Sequence, residues 1–128
     1  MSLMKNGSLC AVYGSLRYGL GNHRVISGAP RQDDGIISGK FRMVSLNSFP
    51  GLIKTDKPTD IVVEVYEVNN EAQAQGLDWL EGYPSFYDRE LVTLVDGREC
   101  WVYFLDDSFS TNEPVDSGNW KLFKTGEA

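Results

Sequence analysis

The sequence predicts an α+β domain, a small curled sheet or barrel with one main helix and one short helix beside it. Three observations carry that prediction. Residues 60–68, DIVVEVYEV, set Ile61, Val63 and Val65 against Val62, Glu64 and Tyr66, the period-two alternation of a strand. Residues 69–82, NNEAQAQGLDWLEG, have asparagine caps, an acidic first turn, helix-forming alanine and glutamine, and a closing glycine. Residues 89–105 are two apolar runs around Asp96-Gly97, a hairpin pair.

In chain order, SLCAVYGSL (Ser8 to Leu16) begins as a short apolar strand and ends in a glycine-containing loop. GLGNHRVISG offers Asn22 as an N-cap for a brief helix ending before Gly28. GIISGKFRMVSL (Gly35 to Leu46) reads as one strand, with partial alternation and β-branched residues. FPGLI follows, with Pro50-Gly51 as turn punctuation. Strand 60–68, helix 69–82 and hairpin 89–105 complete a set of about five or six strands. The tail from Asp106 is polar, with an aromatic island at Trp120 and Phe123, and receives no assignment. Residues 1–7 read as a leader outside the fold, and the whole of 1–128 as one domain.

Composition narrows the class. A chain of 128 residues buries enough surface for a core without covalent staples. Its net charge of −6 argues against nucleic acid and anionic membrane as partners. Lys40, Arg42, Arg17 and Arg24 are the material for a local basic patch if one exists. Cys10 and Cys100 each lie in an apolar run and read as reduced core residues of a cytoplasmic protein. No apolar run approaches the ~20 residues of a membrane span. Trp79, Trp101 and Trp120 read as packing residues. His23 is the single histidine, so neither a zinc cluster nor a Ser-His-Asp triad has its parts at workable spacing.

Two stretches remain as chemistry. In LDWLEGYPSFY (Leu77 to Tyr87), Leu77 and Glu81 are one helical turn apart and share a face. Glu81 lies at the negative end of the helix dipole, ahead of Tyr83, Phe86 and Tyr87, and both settings raise its proton affinity. A carboxylate so placed suits general base work near neutral pH, while a glutamate at an open helix end is the plain structural alternative. In VYGSLRYGLGN (Val12 to Asn22), a strand delivers a loop with Gly14, Gly19, Gly21 and Ser15, whose backbone N–H groups can cradle an anion. A plain strand-to-helix turn is the alternative there.

Together these stretches resemble the γ-glutamylcyclotransferase-like proteins, including the AIG2-like group and the γ-glutamylamine cyclotransferases. Tyr13-Gly14-Ser15-Leu16 is similar to that family's Tyr-Gly-Ser/Thr-Leu loop. LDWLEGYPSFYDR (Leu77 to Arg89) is similar to its Leu-Asp-x-Leu-Glu-Gly-Tyr-Pro…Tyr-x-Arg segment, VVEVYEV (Val62 to Val68) to its Gly-Glu-Val-Tyr strand, and WVYFL (Trp101 to Leu105) to a later Tyr-bearing strand. Val63 departs from the pattern, standing where many relatives have glycine. The resemblance covers about Leu9 to Leu105. It implies a small β-barrel with flanking helices, Glu81 as the catalytic acid/base, a substrate-binding loop at Tyr13, Gly14, Ser15 and Leu16, and aromatic pocket positions at Tyr87 and Tyr103. It also implies a small-molecule γ-glutamyl substrate, converted to 5-oxoproline and a free amine without a cofactor or metal. The reading from another class is a non-catalytic module of the same fold that binds a small metabolite or a protein. A third is a related step that removes a γ-glutamyl protecting group.

Overall fold

A computed structural model describes residues 7–14, 17, 28–83 and 85–125, the side chains of Leu80 and Thr125 excepted. Its strands are β1 (Leu9–Val12), β2 (Arg31–Ile37), β3 (Phe41–Ser45), β4 (Pro50–Lys54), β5 (Ile61–Glu67), β6 (Asp88–Thr93) and β7 (Glu99–Phe104). The helices are α1 (Glu71–Glu81), between β5 and β6, and α2 (Trp120–Thr125) near the end of the chain. The α+β class and the single main helix are as the sequence predicts.

β1 is the middle of a five-stranded sheet ordered β2-β5-β1-β7-β6, antiparallel to β5 and parallel to β7. β3 and β4 form a separate two-stranded ribbon. The ribbon joins the sheet through an Ile53–Leu105 bridge and the Leu105 N–H, which donates to the Leu52 carbonyl at 2.8 Å. The predicted barrel is therefore corrected to an open, curled sheet. β2 carries a register shift between Gln32 and Gly35 and turns its first four residues, including Asp33 and Asp34, to solvent. The β6–β7 turn reaches it by Val95 N–H to the Ile36 carbonyl (3.0 Å) and by the Arg98 guanidinium on the Asp33 and Asp34 carbonyls (2.7 and 3.2 Å), with no ladder between β2 and β6 among the described residues. A bulged, charged edge resists extension of the sheet.

Both faces of the sheet are buried, and alternate residues of each strand feed different clusters. Cys10, Val12, Tyr66 and Tyr103 lie with Ala74 and Leu77 of α1. Ala11, Tyr13, Val63, Val65 and Val102 lie with Phe41, Met43, Leu52 and Trp120 on the other side. The alternation read in DIVVEVYEV thus separates two cores rather than a core from solvent, which is why its polar positions are few.

Other expectations are revised. Gly35 to Leu46 is two strands, β2 and β3, broken at Gly39. Pro50-Gly51 starts β4 instead of turning the chain, since proline is tolerated as the first residue of a strand. Trp79 is 87% exposed on the outer side of α1, not packed. The brief helix at Asn22 lies outside the described residues, as do residues 1–6. The tail is part of the fold. Ser45 N–H donates to the Glu113 carbonyl, Val115 N–H to that of Met43, and Val62 N–H to that of Gly118. Trp120 is buried and stacks on Phe123, ring centroids 5.4 Å apart.

α1 begins at Asn70, whose side chain accepts the Gln73 N–H at 2.8 Å, while the Gln73 side chain accepts the Asn69 N–H at 2.8 Å. Its anchor is Leu77, which is fully buried. Leu77→Ala is expected to cost about 2–5 kcal/mol in urea unfolding, the range for a buried leucine. Trp79→Ala two positions on is expected to stay within about 0.5 kcal/mol of wild type.

Candidate active site

Glu81 is the last residue of α1. The helix stops there because Gly82 turns into the left-handed region at φ 63°. Gly82 N–H then donates to the Trp79 carbonyl (3.2 Å) and Tyr83 N–H to that of Asp78 (2.9 Å), so the carbonyls of the last turn are satisfied by backbone. Two further backbone bonds return the chain: Phe86 N–H to the Gly82 carbonyl (2.8 Å) and Tyr87 N–H to that of Glu81 itself (3.3 Å). The carboxylate is therefore carried on backbone held from both sides.

Burial pushes the Glu81 carboxyl up from the 4.5 of an ordinary glutamate to about 7. No hydrogen bond or ion pair to it occurs among the described residues, and loss of water is the cause of the shift. Its charge is felt by its neighbours. Tyr13, Tyr87 and the Cys10 thiol are held well above their ordinary values, first by their own burial and further by Glu81. Cys10 is buried and free, which makes it an inert core residue beside the site.

The loop leaving β1 approaches from the other side. Tyr13 is buried and its hydroxyl donates to the Tyr103 carbonyl at 2.6 Å. A Cβ on Gly14 would lie 2.9 Å from both Cγ and Cδ of Pro50, so only glycine permits this approach of loop to strand. Arg17 N–H closes a turn onto the Gly14 carbonyl at 3.0 Å. Ser15 and Leu16, with Gly19, Gly21, His23 and Arg24, lie outside the described residues. Pro50 also receives the Tyr87 hydroxyl on its carbonyl at 2.6 Å. The start of β4 thus ties the β1 loop to the segment that follows Glu81.

Below this lies a group that the sequence did not single out. Asp78, one turn before Glu81, accepts the Tyr103 hydroxyl at 2.6 Å and Arg89 Nε at 3.1 Å on the same oxygen. The Arg89 guanidinium lies between the Tyr83 and Trp101 rings, 4.4 and 4.9 Å from their centroids. Asp78 and Arg89 stand inside the Leu77 to Arg89 motif, but their pairing across eleven residues depends on the β6–β7 hairpin meeting α1, which no local pattern announces. Of the sequence-predicted residues, Glu81, Tyr13, Gly14, Tyr87 and Tyr103 come together here, and the three tyrosine hydroxyls each already donate to a protein oxygen. No group of three or more metal-ligating side chains occurs among the described residues. Of the residues that could make a local basic patch, three are engaged separately: Arg17 lies on Glu64, Lys40 on Glu90, and Arg42 on the Ser110 carbonyl.

The gamma-glutamyl cyclotransferase, AIG2-like family model matches residues 10–122. A Methanocaldococcus jannaschii protein, provisionally named a gamma-glutamylcyclotransferase, is 35% identical over 118 residues, covering 88% of this chain and 95% of that one. A Vibrio cholerae protein of the same provisional name is 30% identical over 112 residues, covering 88% and 94%. Among solved structures, an AIG2-like protein from Mus musculus superposes with a TM-score of 0.67 at 27% identity, over 78% of each chain.

A raised carboxyl has a thermodynamic signature. Between about 4.5 and about 7 the folded protein keeps a proton on Glu81 that the unfolded chain has released. Stability is therefore expected to fall as pH rises through that window, by roughly 3 kcal/mol in total. Chemical denaturation across pH is expected to show this slope in wild type and its loss in Glu81→Gln. An identical slope in both proteins would contradict the desolvated carboxyl.

Proposed function

The chain belongs to the gamma-glutamyl cyclotransferase, AIG2-like family, and from that premise we propose that it converts a γ-glutamyl amine or γ-glutamyl amino acid to 5-oxoproline and a free amine, with Glu81 as general acid/base. The observation that supports this reading most is the Glu81 carboxyl itself. It is desolvated, unpaired among the described residues and balanced near neutral pH, where a base accepts and returns a proton with least waste.

The substrate brings its own nucleophile. Its α-ammonium gives a proton to Glu81, and the freed amine nitrogen attacks the γ-carbonyl carbon. A new C–N bond closes the five-membered lactam as the old amide C–N bond breaks. Glu81 passes that proton to the departing nitrogen, then takes the second proton that the attacking nitrogen sheds as it becomes the lactam N–H and hands it to the free amine, which leaves as an ammonium and restores the carboxylate. The protein supplies no covalent partner, which fits a site whose only thiol neighbour is inert. The loop at Tyr13, Gly14, Ser15 and Leu16 holds the substrate's α-carboxylate on its backbone N–H groups and folds the chain into a reactive conformer. Tyr87 and Tyr103 frame the pocket. With their hydroxyl protons engaged on Pro50 and Asp78, they act as walls and supports rather than as donors to the substrate.

The test is 5-oxoproline release from a panel of γ-glutamyl amino acids, γ-glutamylamines and glutathione. Wild type is expected to release it from at least one class. Glu81→Gln, folded, is expected to lose about 10²–10⁴-fold in kcat. The wild-type kcat/KM is expected to fall on the acid side with a midpoint near 7. Activity that survives unchanged in Glu81→Gln contradicts the mechanism, and a folded wild type inert toward the whole panel favours the binding module.

A further inference from the structure

A second carboxylate is buried more deeply than Glu81 and is handled in the opposite way. Glu64, on β5, is 1% exposed. Its Oε2 faces three cations: Arg17 Nε at 2.9 Å, Lys121 Nζ at 3.4 Å and Arg31 Nη2 at 3.7 Å. Its Oε1 accepts the Tyr66 hydroxyl at 3.0 Å. Arg17 is itself 6% exposed, and its Nη1 donates to Asn119 Oδ1 at 2.9 Å. Arg31 and Lys121 are a third or more exposed and reach solvent, so the enclosed pair is Glu64 with Arg17.

The location of that pair carries the inference. Glu64 stands opposite Val12 in the β1–β5 ladder, at the point where β1 ends and the loop begins. Gly14 is pressed on Pro50, Arg17 N–H bonds the Gly14 carbonyl, and the Arg17 side chain folds back onto the strand beside the one the loop has just left. Gly14 and Arg17 are therefore two fixed points of the chain. A buried ion pair adds little stability over apolar residues of the same shape, because desolvation offsets its attraction. What it does impose is one geometry, through a planar guanidinium that cannot be deprotonated.

We infer that Glu64, through Arg17, is a positioning residue for substrate binding: it fixes Arg17 against Gly14, the two points on which the loop after β1 depends. The link from Arg17 to Asn119 extends the same clamp to the tail, just before α2. The inference rests on the function proposed above insofar as that loop holds the substrate's carboxylate. An α-carboxylate is held equally in the ground and transition states, so a loosened loop raises KM and spares kcat.

The test uses the double variant Glu64→Leu/Arg17→Met, which removes both buried charges and keeps the volume. In the folded double variant KM for the best panel substrate is expected to rise about tenfold or more, with kcat within about threefold and the acid limb near 7 unmoved. Arg17→Lys keeps the charge but loses the fork, and is expected to give a smaller rise. It carries the same test if the double variant does not fold. Amide hydrogen exchange supplies an arm free of substrate: residues 14–17 are expected to exchange faster in the variant while β1 and β5 keep their protection. Wild-type KM in a folded variant, or unchanged exchange at 14–17, overturns the inference. If wild type turns over nothing, the proposed function fails by itself, and the exchange result still decides whether Glu64 sets the loop.

Discussion

A carboxyl group drawn from water, with no cation beside it among the described residues, is the constraint around which this site is arranged. Desolvating a charge is costly, and proteins ordinarily answer by pairing it. The same chain does this at Glu64, where one carboxylate meets three cations and a tyrosine hydroxyl. At Glu81 burial alone acts, and the group responds by holding its proton to about 7. One fold therefore carries two glutamates, Glu64 buried and Glu81 half-buried, with opposite electrostatic settings. The paired one suits architecture; the unpaired one suits proton transfer.

An unpaired carboxyl is useful only if it cannot swing out to water. Leu77 anchors its helix, the Gly82 cap fixes the helix end, and Tyr87 N–H takes hold of the Glu81 carbonyl. Asp78 then fastens the same helical turn to β7 through Tyr103 and to β6 through Arg89. Pro50 completes the frame by meeting Gly14 on its ring and Tyr87 on its carbonyl. Gly14 and the segment that follows Glu81 are thus referred to one corner of β4. Rigid placement of this kind suits the intramolecular attack proposed above, in which the protein supplies no nucleophile.

What was legible in the sequence was local. β5 declared itself by alternation, α1 by its caps, and the hairpin by Asp96-Gly97. Glu81 was found because helix spacing ties it to Leu77. What was illegible depends on contacts distant in sequence. The open sheet shows in a strand order that leaves β2 and β6 at its edges, and the bulge in β2 is not registered by alternation. Pro50-Gly51 looked like a turn because its strand role depends on pairing with Val44 and Ser45. The tail received no assignment because its backbone bonds to β3 and β5 need no hydrophobic pattern. Trp79 was expected to pack, yet the helix face it occupies meets solvent. Asp78, Arg89 and Glu64 were visible as residues, but their partners lie on other elements.

The most direct measurement is a carbon-13 NMR titration of the Glu81 side-chain carboxyl in the intact protein, assigned by comparison with Glu81→Gln. A midpoint near 7 is what a carboxyl desolvated at the end of α1 must show. A midpoint near 4.5, that of an ordinary solvated glutamate, would contradict the account at its centre.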